Sequence, residues 1–240
     1  MIGCLIIHGF TGGPHELEPL TEYLREKTNW HIAVPTLPGH GIKLALENVT
    51  YKSWIETAEA SLQQLREKYD EIYIIGFSMG GMIAAYLAAK YKVDKLVLLA
   101  TAGKYLSLKQ ISVDIGTVIK DGVMGRLSEN KLYRHYRRKL SSVPLKANLE
   151  FLKLVRLTRK YLRKVESPVL IAQGQQDNMV PYKTAYYLDK EIPSKRKEVV
   201  FFERSRHLIC LGNDKDTLNK MVYEFLEKPI GIKNKHFDMV

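Results

Sequence analysis

Short, unbroken apolar runs recur along the chain at Cys4 to Ile7, Ile32 to Val34, Ile72 to Ile75, Leu96 to Ala100, Val169 to Ala172 and Val199 to Phe202, each bounded by Gly, Pro or charge. A strand with one wet face would alternate apolar and polar residues. Continuous apolarity instead predicts strands covered on both faces. Between the runs lie stretches of helical character, from Glu16 to Lys27, Ser53 to Tyr69, Met79 to Tyr91, Tyr182 to Glu191 and Asp214 to Glu227. Strand alternating with helix predicts an α/β fold, with a mostly parallel sheet of about six strands flanked by helices.

One interval breaks the rhythm. Gly103 to Val165 is helical in character and contains no convincing strand. Within it Phe151, Leu154, Val155, Leu162 and Val165 fall near helical spacing, and Lys153, Arg156, Lys160, Arg163 and Lys164 form an opposing stripe. About sixty residues is short for a separate domain, and both ends return to strands of one sheet. The expected organisation is a core of residues 1–102 and 166–240 interrupted by a basic helical insertion, 103–165.

Composition changes this picture at one point. The 240 residues carry 37 Lys and Arg against 26 Asp and Glu, a formal net charge of +11. Residues 104–164 hold 16 basic and 4 acidic side chains, a net of +12, so the remainder sums to −1. The surplus belongs to the insertion alone, which argues against a nucleic-acid partner for the whole protein. Attraction of the basic amphipathic stripe to an anionic membrane surface is the sharper alternative to a merely solvated face.

Cys4 and Cys210 are too few for a disulfide scaffold, Met1 to Ile7 has no charged leader, and a cytoplasmic location is the expectation. Ile72 to Ala89 is 18 residues without a charge, but Gly76, Ser78, Gly80 and Gly81 interrupt it, so it reads as strand, turn and helix and not as a membrane span.

That turn carries the chemistry. Gly76-Phe77-Ser78-Met79-Gly80 has the G-x-S-x-G spacing between a strand and an Ala-rich helix. A nucleophile elbow needs small residues two positions either side of the serine, where strand and helix approach closely. The competing reading is a Gly-rich turn with Ser78 as a helix N-cap. A serine hydroxyl needs a base, and the base needs a carboxylate to orient it. His207 follows the run Val199 to Phe202, on the sheet edge where the elbow opens, and Asp177 follows Val169 to Ala172. The alternatives are a surface histidine and a helix-capping aspartate. The order Ser78, Asp177, His207 is the α/β-hydrolase order.

An oxyanion formed at Ser78 needs preorganised donors. The backbone N–H of Met79 is one candidate, and that of Phe10, in His8-Gly9-Phe10-Thr11-Gly12-Gly13, is the other. No phosphate-binding glycine motif and no metal-ligand spacing occurs, so neither cofactor nor metal is expected.

Taken with Pro38-Gly39-His40-Gly41 and Gln173 to Val180, these residues make the chain resemble the bacterial carboxylesterase and monoacylglycerol-lipase branch of the α/β-hydrolases. The similarity spans nearly everything except the insertion, which in that family is a variable cap over the pocket. Two departures stand out. Arg206 precedes His207 where the family usually has Gly, and an extra N-terminal strand or hairpin common in the family is not expected, which leaves His31 to Val34 near a sheet edge where chains could pair. The resemblance implies a serine esterase or lipase acting on short-to-medium acyl esters or monoacylglycerols, as a monomer or homodimer. Thioesterase, serine peptidase or another acyl hydrolase would use the same triad, and a non-catalytic small-molecule binding module could use the same scaffold.

Overall fold

The computed structural model describes residues 1–104 and 143–229 and the backbone of 237–239. Most of the basic insertion, with His135, falls outside the described residues, as does His236. The sheet contains β1 (Ile2–Ile7), β2 (His31–Ala33), β3 (Glu71–Phe77), β4 (Lys95–Leu99), β5 (Val169–Gly174), β6 (Lys197–Phe202) and β7 (Phe237–Met239). Their order is β2-β1-β3-β4-β5-β6-β7, and every neighbouring pair is parallel. All six apolar runs are therefore strands. The seventh, β7, is three residues long and extends the far edge beside β6. As expected, β2 lies at the opposite edge.

Successive side chains of a strand point to opposite faces, and the two faces have separate cores. Leu5, Ile7, Ile72 and Ile74 pack on one side with α2 (Tyr51–Arg66), α3 (Met79–Tyr91), α4 (Leu145–Arg159) and α5 (Lys183–Glu191). Cys4, Ile6, Tyr73 and Ile75 pack on the other, under α1 (Glu18–Lys27) and α6 (Lys215–Glu227). Burying a Leu or Ile completely contributes roughly 1.5–3 kcal/mol. Every strand residue from Cys4 to Ile7 and from Leu96 to Leu99 is fully buried, which explains why these runs show no alternation.

The described end of the insertion joins this core. Phe151, Leu154, Val155, Leu162 and Val165 are buried, while Lys153, Arg156, Lys160, Arg163 and Lys164 are exposed, the two stripes expected from their spacing. Glu150 fixes α4 to its neighbour. Its carboxylate accepts a hydrogen bond from the backbone N–H of Tyr51, the first residue of α2, at 3.1 Å, and pairs with Lys153 at 2.6 Å. An acidic side chain from another element thus occupies the positive end of the α2 dipole. On the opposite face, buried Lys95 donates to the carbonyls of Leu226 and Lys228 and closes the C-terminal end of α6.

Parallel strands bring the loops after β1, β3, β5 and β6 to one edge, where the polar interior of the protein is concentrated. The loop after β2 is held there by His8. The Leu37 N–H donates to His8 Nε2 at 3.0 Å, so Nδ1 carries the proton and donates to the Gly9 carbonyl at 2.9 Å. Trp54 Nε1 then donates to the Pro38 carbonyl at 3.0 Å, anchoring the same loop to α2. Burial, helped by the nearby His40 and His15, lowers the His8 pKa from its ordinary 6.5 to about 3.

The sign of the consequence is fixed. Between pH 6.5 and about 3 the unfolded chain protonates His8 and the folded chain does not, so this residue's contribution is intact above 6.5 and declines as pH falls. The slope from one such proton is at most about 1.4 kcal/mol per pH unit. His8→Gln keeps an acceptor for Leu37 without a titrating ring. Urea unfolding at stepped pH should show the wild-type advantage over the variant shrinking from pH 7 to pH 4. A constant difference would contradict the assignment of His8 as a buried neutral imidazole.

Candidate active site

Ser78 stands between β3 and α3 with φ 53° and ψ −114°, one of four non-glycine residues with positive φ among those described. A side chain in this region costs roughly 1–3 kcal/mol and persists only where its surroundings impose it. The imposed geometry is visible on both sides. A Cβ on Gly76 would lie 2.4 Å from the Gly80 carbonyl oxygen, and a Cβ on Gly80 would lie 2.2 Å from that of Ile7. Glycine at both positions lets α3 start directly against β1 and β3. Hydrogen bonds fix the turn itself, from Ser78 N–H to the Leu99 carbonyl at 2.8 Å and from Ala102 N–H to the Ser78 carbonyl at 3.2 Å.

Ser78 occupies the N-cap position of α3, yet its side chain makes no capping bond. Its Oγ lies 3.0 Å from His207 Nε2. His207 Nδ1 lies 2.7 Å from Asp177 Oδ2. With a carboxylate on Nδ1, the imidazole holds its proton there and presents its Nε2 lone pair to the serine hydroxyl. Three residues separated by 99 and 30 positions in the chain thus converge through the loops after β3, β5 and β6. Each exposes only 6% of its surface.

Asp177 is held as firmly as His207. Asp177 Oδ1 accepts from the backbone N–H groups of Met179 and Val180, both at 2.8 Å, and Oδ2 accepts from Gln173 Nε2 at 3.0 Å as well as facing His207. Donors on both oxygens fix the rotamer. Gln173, the penultimate residue of β5, also donates to the Val180 carbonyl at 3.2 Å, which closes the turn around the carboxylate. The local sequence pattern points to no role for Gln173 beyond a faint signal: a polar residue at the end of an otherwise apolar run.

The loop after β1 lies against Ser78. A Cβ on Gly9 would sit 3.3 Å from Ser78 Cβ. Among the described residues no group accepts a hydrogen bond from the backbone N–H of Phe10 or Met79, so both donors are unspent beside Ser78. The Phe10 ring is stacked on Phe151 of α4, with centroids 4.9 Å apart and planes at 11°, and meets Trp54 edge-on at 5.7 Å. Arg206 is exposed, and the loop it sits in is held instead by Ser205 Oγ, which donates to Asp214 Oδ2 at 2.7 Å.

No cluster of His, Cys, Asp and Glu among the described residues could hold a metal ion, and no described helix is long and apolar enough to cross a membrane. Cys4 and Cys210 are free, buried thiols whose pKa burial raises, Cys4 to about 12. A separate open groove of about 400 Å³, lined by Lys104, Tyr182, Tyr186 and Lys190 among others, runs along α5 and includes none of Ser78, Asp177 and His207.

The same arrangement of chain is found in known proteins. A thermostable monoacylglycerol lipase of Bacillus sp. (strain H-257) is 27% identical over 242 residues, covering 96% of this chain and 92% of the relative. A carboxylesterase of Bacillus subtilis (strain 168) is 23% identical, covering 93% and 92%. Among solved structures, a metagenome-derived lipolytic enzyme superposes with a TM-score of 0.78 at 23% identity, over 95% and 94% of the two chains. A bromoperoxidase from Bacillus anthracis superposes with a TM-score of 0.72 at 19% identity, over 94% and 92%. Those structural likenesses establish the α/β-hydrolase fold, which hosts more than one chemistry. The family model for serine aminopeptidase S33 matches residues 3–216, and the chain is a member of that family of α/β-hydrolases.

Proposed function

We propose that this protein is a serine ester hydrolase in which Ser78 is the nucleophile, His207 the general base and Asp177 the residue that orients it. The observation that carries the reading is the 3.0 Å approach of His207 Nε2 to the Oγ of a serine held at φ 53°. A serine kept in that conformation by its surroundings, with an imidazole lone pair aimed at its hydroxyl, is arranged for nucleophilic attack. The names of the two relatives with near-complete coverage, a lipase and a carboxylesterase, favour an ester as the substrate over the amide that the family's description suggests.

The steps follow from the geometry. Ser78 Oγ attacks the ester carbonyl carbon while its proton passes to His207 Nε2. The carbonyl oxygen becomes an oxyanion, received by the backbone N–H groups of Phe10 and Met79. Collapse expels the alkoxide, which takes the proton from His207 and leaves as the alcohol. Water, deprotonated by the same imidazole, then attacks the acyl-enzyme and releases the carboxylic acid and free Ser78. Asp177 stays ionised throughout and stabilises the imidazolium formed in each half-reaction.

The substrate class is read from the surroundings of Phe10. Its ring, Phe151, Trp54 and buried Met79 present an apolar surface beside the nucleophile. Residues 103–165, of which α4 is the described helix, act as a cap over this surface, and the protein hydrolyses short-to-medium acyl esters or monoacylglycerols. Among the described residues of the cap, Lys153, Arg156, Lys160, Arg163 and Lys164 face solvent, and weak attraction to anionic lipid surfaces is a secondary property of that face.

Two outcomes are expected. Ser78→Ala and His207→Ala should each lose roughly 10⁶ in kcat on a p-nitrophenyl ester while retaining the wild-type melting temperature, and Asp177→Asn should lose about 10⁴. Wild-type turnover in purified Ser78→Ala would contradict the nucleophile assignment. Across p-nitrophenyl esters from acetate to palmitate, kcat/KM should rise severalfold per added carbon, because each buried methylene contributes about 0.8 kcal/mol, and then level off. A flat profile, or faster cleavage of aminoacyl amides than of every ester, would overturn the apolar acyl ester assignment.

A further inference from the structure

Glu16 is a buried acid that the mechanism above does not use. It ends the single 3-10 turn Pro14–Glu16 that follows the loop after β1, and it exposes only 3% of its surface. Its Oε2 accepts a hydrogen bond from the Gly9 backbone N–H at 3.3 Å. The same oxygen lies against Gly12, where a Cβ would come within 1.8 Å of it and within 2.0 Å of the carboxyl carbon. One carboxylate therefore touches both ends of the turn Gly9 to Gly12, which is closed by a Gly12 N–H to Gly9 carbonyl bond at 3.4 Å. Phe10, whose N–H is the proposed oxyanion donor, lies inside that turn. So does Thr11, whose φ of 64° shows that the turn is held in an uncommon conformation.

We infer that Glu16 is a positioning residue for the oxyanion hole: its carboxylate holds Gly9 and Gly12 so that the Phe10 N–H faces the carbonyl oxygen of an ester bound at Ser78. This rests on the reading of Ser78 as nucleophile and Phe10 as donor. Two further facts support it. Burying a carboxylate is costly, and a leucine would fill similar space without that cost, so stability alone does not account for an acid here. Burial raises the pKa of the Cys210 thiol, the charge of Glu16 raises it further, and Cys210 lies on the segment after His207. The carboxylate thus lies against the loop that carries Phe10. On its other side Phe10 is fixed by the stack on Phe151, so Glu16 sets the backbone and the aromatic contact sets the side chain.

The test compares Glu16→Leu, Glu16→Gln and Gly12→Ala with wild type in p-nitrophenyl butyrate hydrolysis. Active sites are counted by complete reaction with a fluorophosphonate, so that loss of folded protein is separated from loss of turnover. Glu16→Leu should lower kcat per titrated site by about 10- to 100-fold, less than the roughly 10²- to 10³-fold cost of removing an oxyanion donor outright, with KM within about threefold. Glu16→Gln keeps an acceptor for Gly9 and should stay within about threefold of wild type. Gly12→Ala displaces the carboxylate without removing it and should reproduce the kcat loss, which keeps the test decisive if Glu16→Leu does not fold. Turnover per site within threefold of wild type in Glu16→Leu or Gly12→Ala would overturn the inference, as would an equal loss in Glu16→Gln and Glu16→Leu. Failure of the fluorophosphonate to label wild-type Ser78 would instead overturn the nucleophile assignment beneath it.

Discussion

The backbone of Ser78 is the constraint from which the rest of the site follows. Its positive φ is imposed by strand β3 entering and helix α3 leaving at a spacing that only glycine at positions 76 and 80 permits. Strain of roughly 1–3 kcal/mol is small beside the apolar burial around it, since β3 from Ile72 to Phe77, β4 and most of α3 are buried. The core therefore determines the turn, and the turn aims Oγ toward the loops that carry His207 and Gly9 instead of into the sheet. Removing that strain would relax the serine into an ordinary helix cap and dissolve the site without touching any other residue in it.

Around this point the protein spends its buried polar groups on loops. His8 ties Gly9 to Leu37, Asp177 gathers two backbone N–H groups with the Gln173 amide, and Glu16 spans Gly9 and Gly12. Each is a long-range or turn-closing bond in a place where no strand or helix supplies a partner. A buried polar group left unpaired costs on the order of 1–3 kcal/mol, so these contacts restrict the loops to one arrangement more than they add net stability.

This division explains what could be read from the sequence. Strands β1 to β6 and the helices are legible because period and apolarity are local signals, and Ser78, Asp177 and His207 can be placed because each follows the end of a strand in a parallel sheet. Strand β7 lacked such a signal, being three residues at an edge with one acidic residue, Asp238, at its centre. Gln173, Glu16 and the stacking of Phe10 on Phe151 were not legible for a different reason. Their partners lie in other loops or in the insertion, 141 positions away in the case of Phe151, and nothing in the local pattern names them. The exposed basic stripe of α4 follows from its spacing, yet the burial of Phe151 against the loop after β1 ties α4 to the site more closely than its charge suggests.

The most direct measurement of the account is a crystal structure of the protein inhibited by an alkyl phosphonate, a stable mimic of the tetrahedral intermediate. Phosphorus should be bonded to Ser78 Oγ, with the phosphonyl oxygen about 2.7–3.1 Å from the backbone nitrogens of both Phe10 and Met79. Phosphorus on any other residue, or a phosphonyl oxygen turned away from both amides, would contradict it.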